Sequence, residues 1–147
     1  MENINVEKMT IQDAINIEKD FQERFDDFWN INILKSELLN DNSLYFVAKK
    51  NNEIIGFVGI LLHVDFTEIT NIVVRKDFRN LGIGKILLEK IIEETKKNKK
   101  DYIFLEVNEN NLNALNLYKK YKFEEVGRRK KYYNQKYDAI LMTLEIK

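Results

Sequence analysis

Cysteine and proline are absent from this 147-residue chain, histidine and tryptophan occur once each, and glycine only five times. Without cysteine there is no disulfide, no thiolate zinc site and no catalytic thiol. The single histidine, His63, excludes a multi-histidine metal site. No Gly-x-Ser-x-Gly pattern exists to carry a serine nucleophile beside it. No apolar run approaches the ~18 residues of a membrane span, and the first ten residues (MENINVEKMT) contain no signal-peptide core. These absences predict a soluble, cytoplasmic protein with neither metal nor membrane attachment. Charge of one sign is also lacking: 24 basic residues balance 24 acidic ones, so direct nucleic-acid binding is not expected. Without proline, the ends of helices and strands must be set by Gly, Asn, Asp and Ser.

What is present is a globular composition. Hydrophobic residues make up 44% of the chain and charged residues 33%, with nine Phe and seven Tyr, a balance that argues against disorder. At ~100–200 residues per domain, the length predicts one domain, residues 1–147. Such a chain buries about two-thirds of its unfolded surface without a covalent staple. The charge run Lys96-Lys97-Asn98-Lys99-Lys100 reads as a solvated helix end, where cations complement the negative end of the helix dipole.

Apolar–polar alternation predicts a short strand from Asn3 to Lys8. Thr10, with Asp13 three residues on, has the form of a capping box. The helix behind it is expected to bury Ile11, Ala14 and Ile15, with neighbours between Glu18 and Phe21. The segment from Phe25 to Asn30 breaks that period, and a second helix is expected from about Ile33 to Leu39. Strands are expected at Ser43 to Lys49, Glu53 to Val64 and Glu68 to Arg75. Asn51-Asn52 joins the first two as a hairpin turn, because Asn tolerates positive φ. His63, on an apolar strand, reads as a satisfied structural histidine. A strongly amphipathic helix from Ile83 to about Lys97 turns Ile83, Ile86, Leu87 and Ile91 inward, with Leu88 and Ile92 widening the stripe. A strand from Tyr102 to Val107, a helix from Asn111 to Tyr121, and strands near Phe123 to Arg129 and Tyr137 to Ile146 follow. The order β-α-α-β-β-β-α-β-α-β-β describes an α+β domain with a mixed sheet.

The strongest local signal is Arg79-Asn80-Leu81-Gly82-Ile83-Gly84-Lys85, which follows the apolar Ile72-Val73-Val74 and opens the long helix. Two glycines let backbone N–H groups approach a ligand, and the helix N-terminus adds unpaired donors, an arrangement suited to a phosphate or pyrophosphate. Lys85 adds a cation. The segment is not a Walker loop, and Leu87 holds the third glycine position of a dinucleotide fingerprint. By itself it reads equally as a glycine turn before a core helix. The plain alternative for Glu106 is an ordinary charge near a strand end. Tyr118, two helical turns from Asn111, reads on spacing alone as core.

The combination is more specific. A strand, Arg-x-x-Gly-x-Gly, an amphipathic helix, a strand ending Leu105-Glu106-Val107, then Asn111 and Tyr118 resembles the GNAT superfamily of acetyl-CoA-dependent N-acetyltransferases. Three stretches are similar to its RimI-type group, the ribosomal-protein-alanine N-acetyltransferases. They are Leu105-Glu106-Val107 with Asn111, Ala114 and Leu117-Tyr118; Lys122-Phe123-Glu124-Glu125-Val126-Gly127; and Arg128-Arg129-Lys130-Lys131-Tyr132-Tyr133 with Asp138-Ala139-Ile140-Leu141-Met142. At Asn108, Lys122 and Tyr137 the chain departs from that group's usual Arg, Gly and acidic residue.

The resemblance implies a GNAT fold: a central, mixed, mostly antiparallel seven-stranded sheet, splayed in the middle and flanked by about four helices. It implies that Asn80, Leu81, Gly82, Ile83, Gly84 and Lys85 cradle the pyrophosphate of acetyl-CoA, with Arg79 starting the motif. Ile72, Val73 and Val74 would pair with the pantetheine arm like an added strand, a backbone N–H there polarising the thioester carbonyl. Asn111 would hydrogen-bond the same arm. Glu106 is implied as general base: an α-amino group with pKa ~8 is mostly protonated at pH 7 and attacks only when neutral. Tyr118 is implied as the general acid for the leaving thiolate. Tyr132 and Tyr133 either line a peptide groove or pack in the sheet. Trp29, after Phe28, sits where the family often has a Phe-Pro-Trp segment near the substrate entrance, here without the proline.

The implied reaction is direct transfer, in a ternary complex, to the N-terminal alanine amine of a ribosomal protein. The alternatives are a GNAT enzyme acting on lysine side chains or a small-molecule amine and, in another class, a non-catalytic acetyl-CoA-binding module. The expected partner is a protein or peptide N-terminus, and the expected state a monomer or weak homodimer.

Overall fold

The computed structural model describes residues 3–19, 21–25, 36, 38–133 and 136–146. Most of the helix expected from Ile33 to Leu39, and the Phe28-Trp29 pair, lie outside the described residues. Seven strands, β1 (Ile4–Lys8), β2 (Ser43–Lys50), β3 (Glu53–Leu62), β4 (Phe66–Val74), β5 (Tyr102–Asn108), β6 (Glu124–Tyr133) and β7 (Tyr137–Glu145), form one sheet. Its order is β1-β2-β3-β4-β5-β7-β6. The described helices are α1 (Ile11–Lys19), the four-residue α2 (Phe21–Arg24), α3 (Ile83–Lys97) and α4 (Leu112–Lys120). None is long and apolar enough to cross a membrane.

Every strand pair is antiparallel except β4–β5. That parallel ladder is short, running from Phe66 opposite Tyr102 to Ile69 opposite Leu105. Both strands continue, β4 to Val74 and β5 to Asn108, without pairing to each other. The cause lies in β4. Gly59 of β3 faces Asn71 while the next residue, Ile60, faces Ile69, so Thr70 is an extra residue, a β-bulge that bends its strand. Past the bulge β4 keeps β3 on one edge and leaves the other edge open.

The long helix α3 lies on one face of the sheet, packing Ile83, Leu87, Leu88 and Ile91 against Val58, Ile60, Ile69, Ile103 and Leu105. Gly56 permits this close approach: a Cβ there would lie 3.0 Å from the Val73 carbonyl and 3.2 Å from the Ile83 and Leu87 side chains. The expected helix bounds hold, but Ile86 is only partly buried and not part of the core, while Glu94 and Thr95 are buried in the inward stripe. The Thr95 hydroxyl is satisfied by the Ile91 carbonyl (2.8 Å) and the Thr67 hydroxyl (3.0 Å).

The opposite face is covered by Ala14, Ile17, Phe21 and Phe25, packed on Tyr45, Val47, Phe57 and Val73. Here α1 is rotated from its expected orientation: Ile11 and Ile15 are exposed, and Asp13, Ala14 and Ile17 are buried. The capping box and Lys49 of β2 together explain the rotation. Thr10 N–H donates to Asp13 Oδ2 (2.9 Å) and Asp13 N–H to Thr10 Oγ1 (3.1 Å). Lys49 Nζ on β2 lies 3.0 Å from Asp13 Oδ1. Holding Asp13 toward the sheet puts Ile17, one turn on, toward the sheet as well. Burial alone would push the Asp13 carboxyl up, but the bonds from Thr10 and Lys49 hold it below the usual carboxylate range. His63 is satisfied by Glu68 (Nε2 to Oε1, 2.9 Å) and stacks on Phe66, as a structural histidine should.

The scarcity of glycine shows in the turns. Asn51 and Asn52 make the β2–β3 hairpin with φ of 51° and 68°, and Lys99 and Lys122 take left-handed positions after α3 and α4, at φ 57° and 74°.

Candidate active site

Where β4 and β5 part, a cavity of about 910 Å³ opens toward α3 and α4. One wall is the open edge of β4 at Ile72, Val73 and Val74; another is the turn from Arg79 into α3; the third is Asn111 with α4, including Tyr118. Nine of the ten residues from Ile72 to Val74, Arg79 to Lys85 meet there, and only Leu81 lies outside the lining, half exposed. The volume is at the upper end of the ~300–1,000 Å³ typical of ligand sites.

The turn is built for donors. Asn80 and Gly82 both have positive φ (63° and 89°), and Gly82 is the N-cap of α3, with nothing within 4 Å of where a Cβ would stand. Ile86 N–H, bonded to the Gly82 carbonyl at 3.2 Å, is the first to find an i−4 partner. The N–H groups ahead of it in the first turn are left for a ligand. Gly84 lies against α4: a Cβ there would stand 3.4 Å from Leu117. The approach to the turn is fixed by the buried Arg75, which donates to Asp77 at 2.7 and 3.0 Å and lies over the Phe78 ring. That guanidinium holds the Asp77 carboxyl low. Arg79 serves as an anchor, its Nε donating to the Val74 carbonyl (3.1 Å) and Nη2 to the Phe25 carbonyl (2.5 Å).

Tyr118 is buried where α4 faces the split. It is held by the helix end. Lys122 N–H donates to the Lys119 carbonyl and Phe123 N–H to the Tyr118 carbonyl, both at 3.0 Å. This is a Schellman motif, and its hydrophobic contact is the Phe123 ring on Tyr118 at 5.5 Å. Burial pushes the Tyr118 hydroxyl well above the ordinary phenol range, with Tyr133 adding to the shift, so it keeps its proton at neutral pH. Asn111 caps the other end of α4, accepting from Ala114 N–H at 3.2 Å. Tyr121 ties α4 to α3 through Glu89 (2.9 Å), and burial, followed by that bond, raises its hydroxyl to about 12.

Glu106 sits one residue beyond the last β4–β5 pair. Its neighbours Leu105 and Val107 point into the α3–α4 core, so Glu106 faces the other side of the sheet. Arg129 on β6 lies 3.0 Å from its Oε1. Tyr133, half-buried at the end of β6, feels the charge of Glu106, and its hydroxyl is raised first by burial and then by that carboxylate. Tyr132 is exposed, edge-to-face with Tyr133 at 5.2 Å and under the Arg129 guanidinium at 5.4 Å. Tyr133 is close enough to act electrostatically on Tyr118 and to feel Glu106; of the three only Tyr118 lines the cavity, and Trp29 lies outside the described residues.

The sequence matches the acetyltransferase (GNAT) family over residues 9–123. The chain belongs to the GNAT acetyltransferase family. Among its relatives, the ribosomal protein bS18-alanine N-acetyltransferase of Haemophilus influenzae is 36% identical over 107 residues, spanning 71% of this chain and 70% of that one. The crystal structure of the ribosomal-protein-S18-alanine N-acetyltransferase from Escherichia coli matches with a TM-score of 0.88 at 27% identity, covering 97% of this chain and 94% of that one. A GNAT family acetyltransferase from Elizabethkingia anophelis, solved with acetyl-CoA bound, matches with a TM-score of 0.75 at 26% identity over 99% of each chain.

As a GNAT acetyltransferase the protein is an acetyl-CoA-dependent N-acetyltransferase. Its site fits that co-substrate. An open strand edge suits an amide-bearing arm, and unpaired N–H groups at a helix start suit a pyrophosphate. Three features of the GNAT site escape the sequence: the Thr70 bulge that makes the split, the Arg79 anchor, and the Glu106–Arg129 ion pair. The pair of arginines is visible in the sequence, but which one reaches Glu106 depends on the register of β6.

Proposed function

We propose that this acetyltransferase acetylates the α-amine of a protein N-terminus, with the N-terminal alanine of ribosomal protein bS18 as its acceptor. The observation that carries the reading is the split itself, with a carboxylate on one side, a protonated buried phenol on the other, and the cavity between β4 and α4. Similarity to enzymes named for that acceptor supports the choice of substrate.

Bound acetyl-CoA supplies an activated acetyl group as a thioester. The turn from Asn80 to Lys85 holds its pyrophosphate through backbone N–H groups and the Lys85 cation, and the edge of β4 at Ile72 to Val74 orients its arm. Asn111 bonds the arm where the strands separate. Glu106, directly or through a water, takes a proton from the acceptor ammonium so that the nitrogen lone pair is free. The Tyr118 hydroxyl gives its proton to the departing sulfur. Tyr132 and Tyr133 supply rigid aromatic walls for the acceptor peptide. With no cysteine in the chain, no thiol acyl-enzyme on a protein residue forms, and transfer is direct.

The test is a mass measurement after incubation with acetyl-CoA and one of three acceptors. These are a hexapeptide bearing the N-terminal alanine sequence of bS18, the same peptide with its α-amine blocked and a lysine free, and spermidine. Acetylation confined to the free α-amine is expected. Turnover only on lysine or spermidine would overturn the acceptor while keeping the enzyme. Acetyl-CoA binding without turnover on any of the three would point either to an acceptor outside the three or to a binding module.

A further inference from the structure

The strand β6 contains an irregularity that the reaction above does not use. Arg129 pairs with Ala139 of β7, and the next pair is Tyr133 with Tyr137, so four steps of β6 span two steps of β7. Lys131, inside this bulge, has φ 50°. A left-handed lysine in a doubled bulge does not hold itself, because each such residue is unfavourable for an L side chain.

Asp138 holds it. Its Oδ1 accepts the Lys131 N–H at 2.9 Å. Its Oδ2 lies 3.5 Å from Arg128 Nη1 and 3.6 Å from Lys130 Nζ. Its own N–H donates to Glu109 Oε2 at 2.5 Å, and Glu109 N–H returns a bond to the Asp138 carbonyl at 3.0 Å. Arg128 closes the group through Glu125 (2.9 Å) and Glu109 (3.8 Å). The Lys131 N–H bond, followed by the nearby cations, keeps the Asp138 carboxyl below its ordinary range. The bulge is flanked by side chains that gather around Glu106. Arg129, on its near side, reaches Glu106, and Tyr132 and Tyr133, at its far end, sit edge-to-face beside it.

The geometry points to Asp138 as a positioning residue for the acceptor: through the Lys131 N–H it holds the β6 bulge that aims Arg129, Tyr132 and Tyr133 at the split. Asp138 itself does not line the cavity. The inference rests on the reading of Tyr132 and Tyr133 as walls of the acceptor site.

The experiment measures KM for the bS18 hexapeptide and for acetyl-CoA separately, with kcat, in Asp138→Ala, Asp138→Asn, Tyr132→Ala and Tyr133→Ala. Loss of a charge-assisted backbone bond is expected to raise the peptide KM about tenfold in Asp138→Ala. The acetyl-CoA KM should stay within about twofold, because β4, α3 and α4 are untouched. Asp138→Asn keeps an oxygen for the Lys131 N–H, so its peptide KM should stay near that of the native enzyme. Hydrogen exchange of the Lys131 amide should be faster in Asp138→Ala and unchanged in Asp138→Asn. Equal rises in both KM values, or an unchanged peptide KM in Asp138→Ala while the tyrosine variants raise it, would overturn the positioning role. If neither tyrosine variant moves the peptide KM, it is the acceptor-wall reading underneath that fails. Should Asp138→Ala not fold, Asp138→Leu, close in shape to Asp but without an acceptor, takes its place: a raised peptide KM with the acetyl-CoA KM unchanged supports the role, and an unchanged peptide KM overturns it.

Discussion

Lys122 stands at the helix end that holds Tyr118, in a conformation its side chain disfavours. It is the left-handed residue of the Schellman motif after α4, with φ 74°, where glycine is the usual choice. An L residue in that region costs about 1–2 kcal/mol relative to the right-handed helix. Glycine removes the cost in the folded state but adds about 0.4–1 kcal/mol of chain entropy to the unfolded state. The difference predicts that Lys122→Gly is more stable by about 0.5–1 kcal/mol. For a chain of this size that is about 1–4 °C in Tm. The fair comparison is with Lys122→Ala, because both variants lose a cation near the helix C-terminus, an interaction of about 0.3–1 kcal/mol. Thermal melts of the three proteins at one ionic strength suffice. If glycine is no more stable than alanine, the left-handed conformation does not burden this helix end, and the account of the motif is wrong. Lys99, at φ 57° after α3, donates its N–H to the Lys96 carbonyl while the Lys100 N–H donates to the Thr95 carbonyl, and it offers an independent repeat.

Glu106→Gln should lower kcat on the peptide by about 10²–10⁴ at pH 7, the deficit narrowing as pH rises past the amine's own pKa near ~8; an unaffected kcat removes Glu106 as the base. Tyr118→Phe should slow turnover by only about ten- to hundredfold, since a thiolate is a fair leaving group, and kcat with the acetyl-CoA KM reads this directly. Gly59→Ala places a Cβ 2.3 Å from the Tyr45 ring, so it should destabilise by about 1–3 kcal/mol in a denaturant melt. Asp13 has a depressed folded-state pKa, so its contribution to stability is present above the unfolded value of ~3.9 and lost as pH falls through the lower folded value. Asp13→Asn should flatten the acid limb of a stability–pH curve below about pH 4, and an unchanged acid limb would refute the capping-box account.

Legibility in the sequence followed locality. The span of α3, the capping box at Thr10, the Asn51-Asn52 hairpin and the start of α4 at Asn111 depend on neighbours in the chain, and each appears where the residues place it. The face that α1 buries does not depend on α1 alone. It is chosen by Lys49 on β2, thirty-six residues from Asp13. Thr70 carries no mark of being a bulge; only the pairing of β3 with β4 reveals it. The same holds for β6, where the Arg-Arg and Asp-Ala elements are visible as a pattern, while the two-residue slip that relates them exists only across the β6–β7 pair. Glu94 and Thr95 are inward because particular partners meet them, Lys90 for one and Thr67 for the other, and an apolar periodicity cannot register a satisfied polar residue.

The short β4–β5 ladder also makes the sheet a joined pair of unequal plates. A four-stranded meander, β1 to β4, and a trio, β5, β7 and β6, share four parallel residue pairs, and α3 spans the join. The open part of the seam is the proposed ligand site. A molecule seated there adds backbone-like bonds to one plate and packs against α4 on the other, acting as a removable rivet. Resistance of the whole molecule to unfolding therefore depends on ligand concentration, rising as RT ln(1 + [L]/Kd), or about 2.7 kcal/mol at a hundredfold excess over Kd. An acetyl donor present at saturating level stiffens the same enzyme that consumes it.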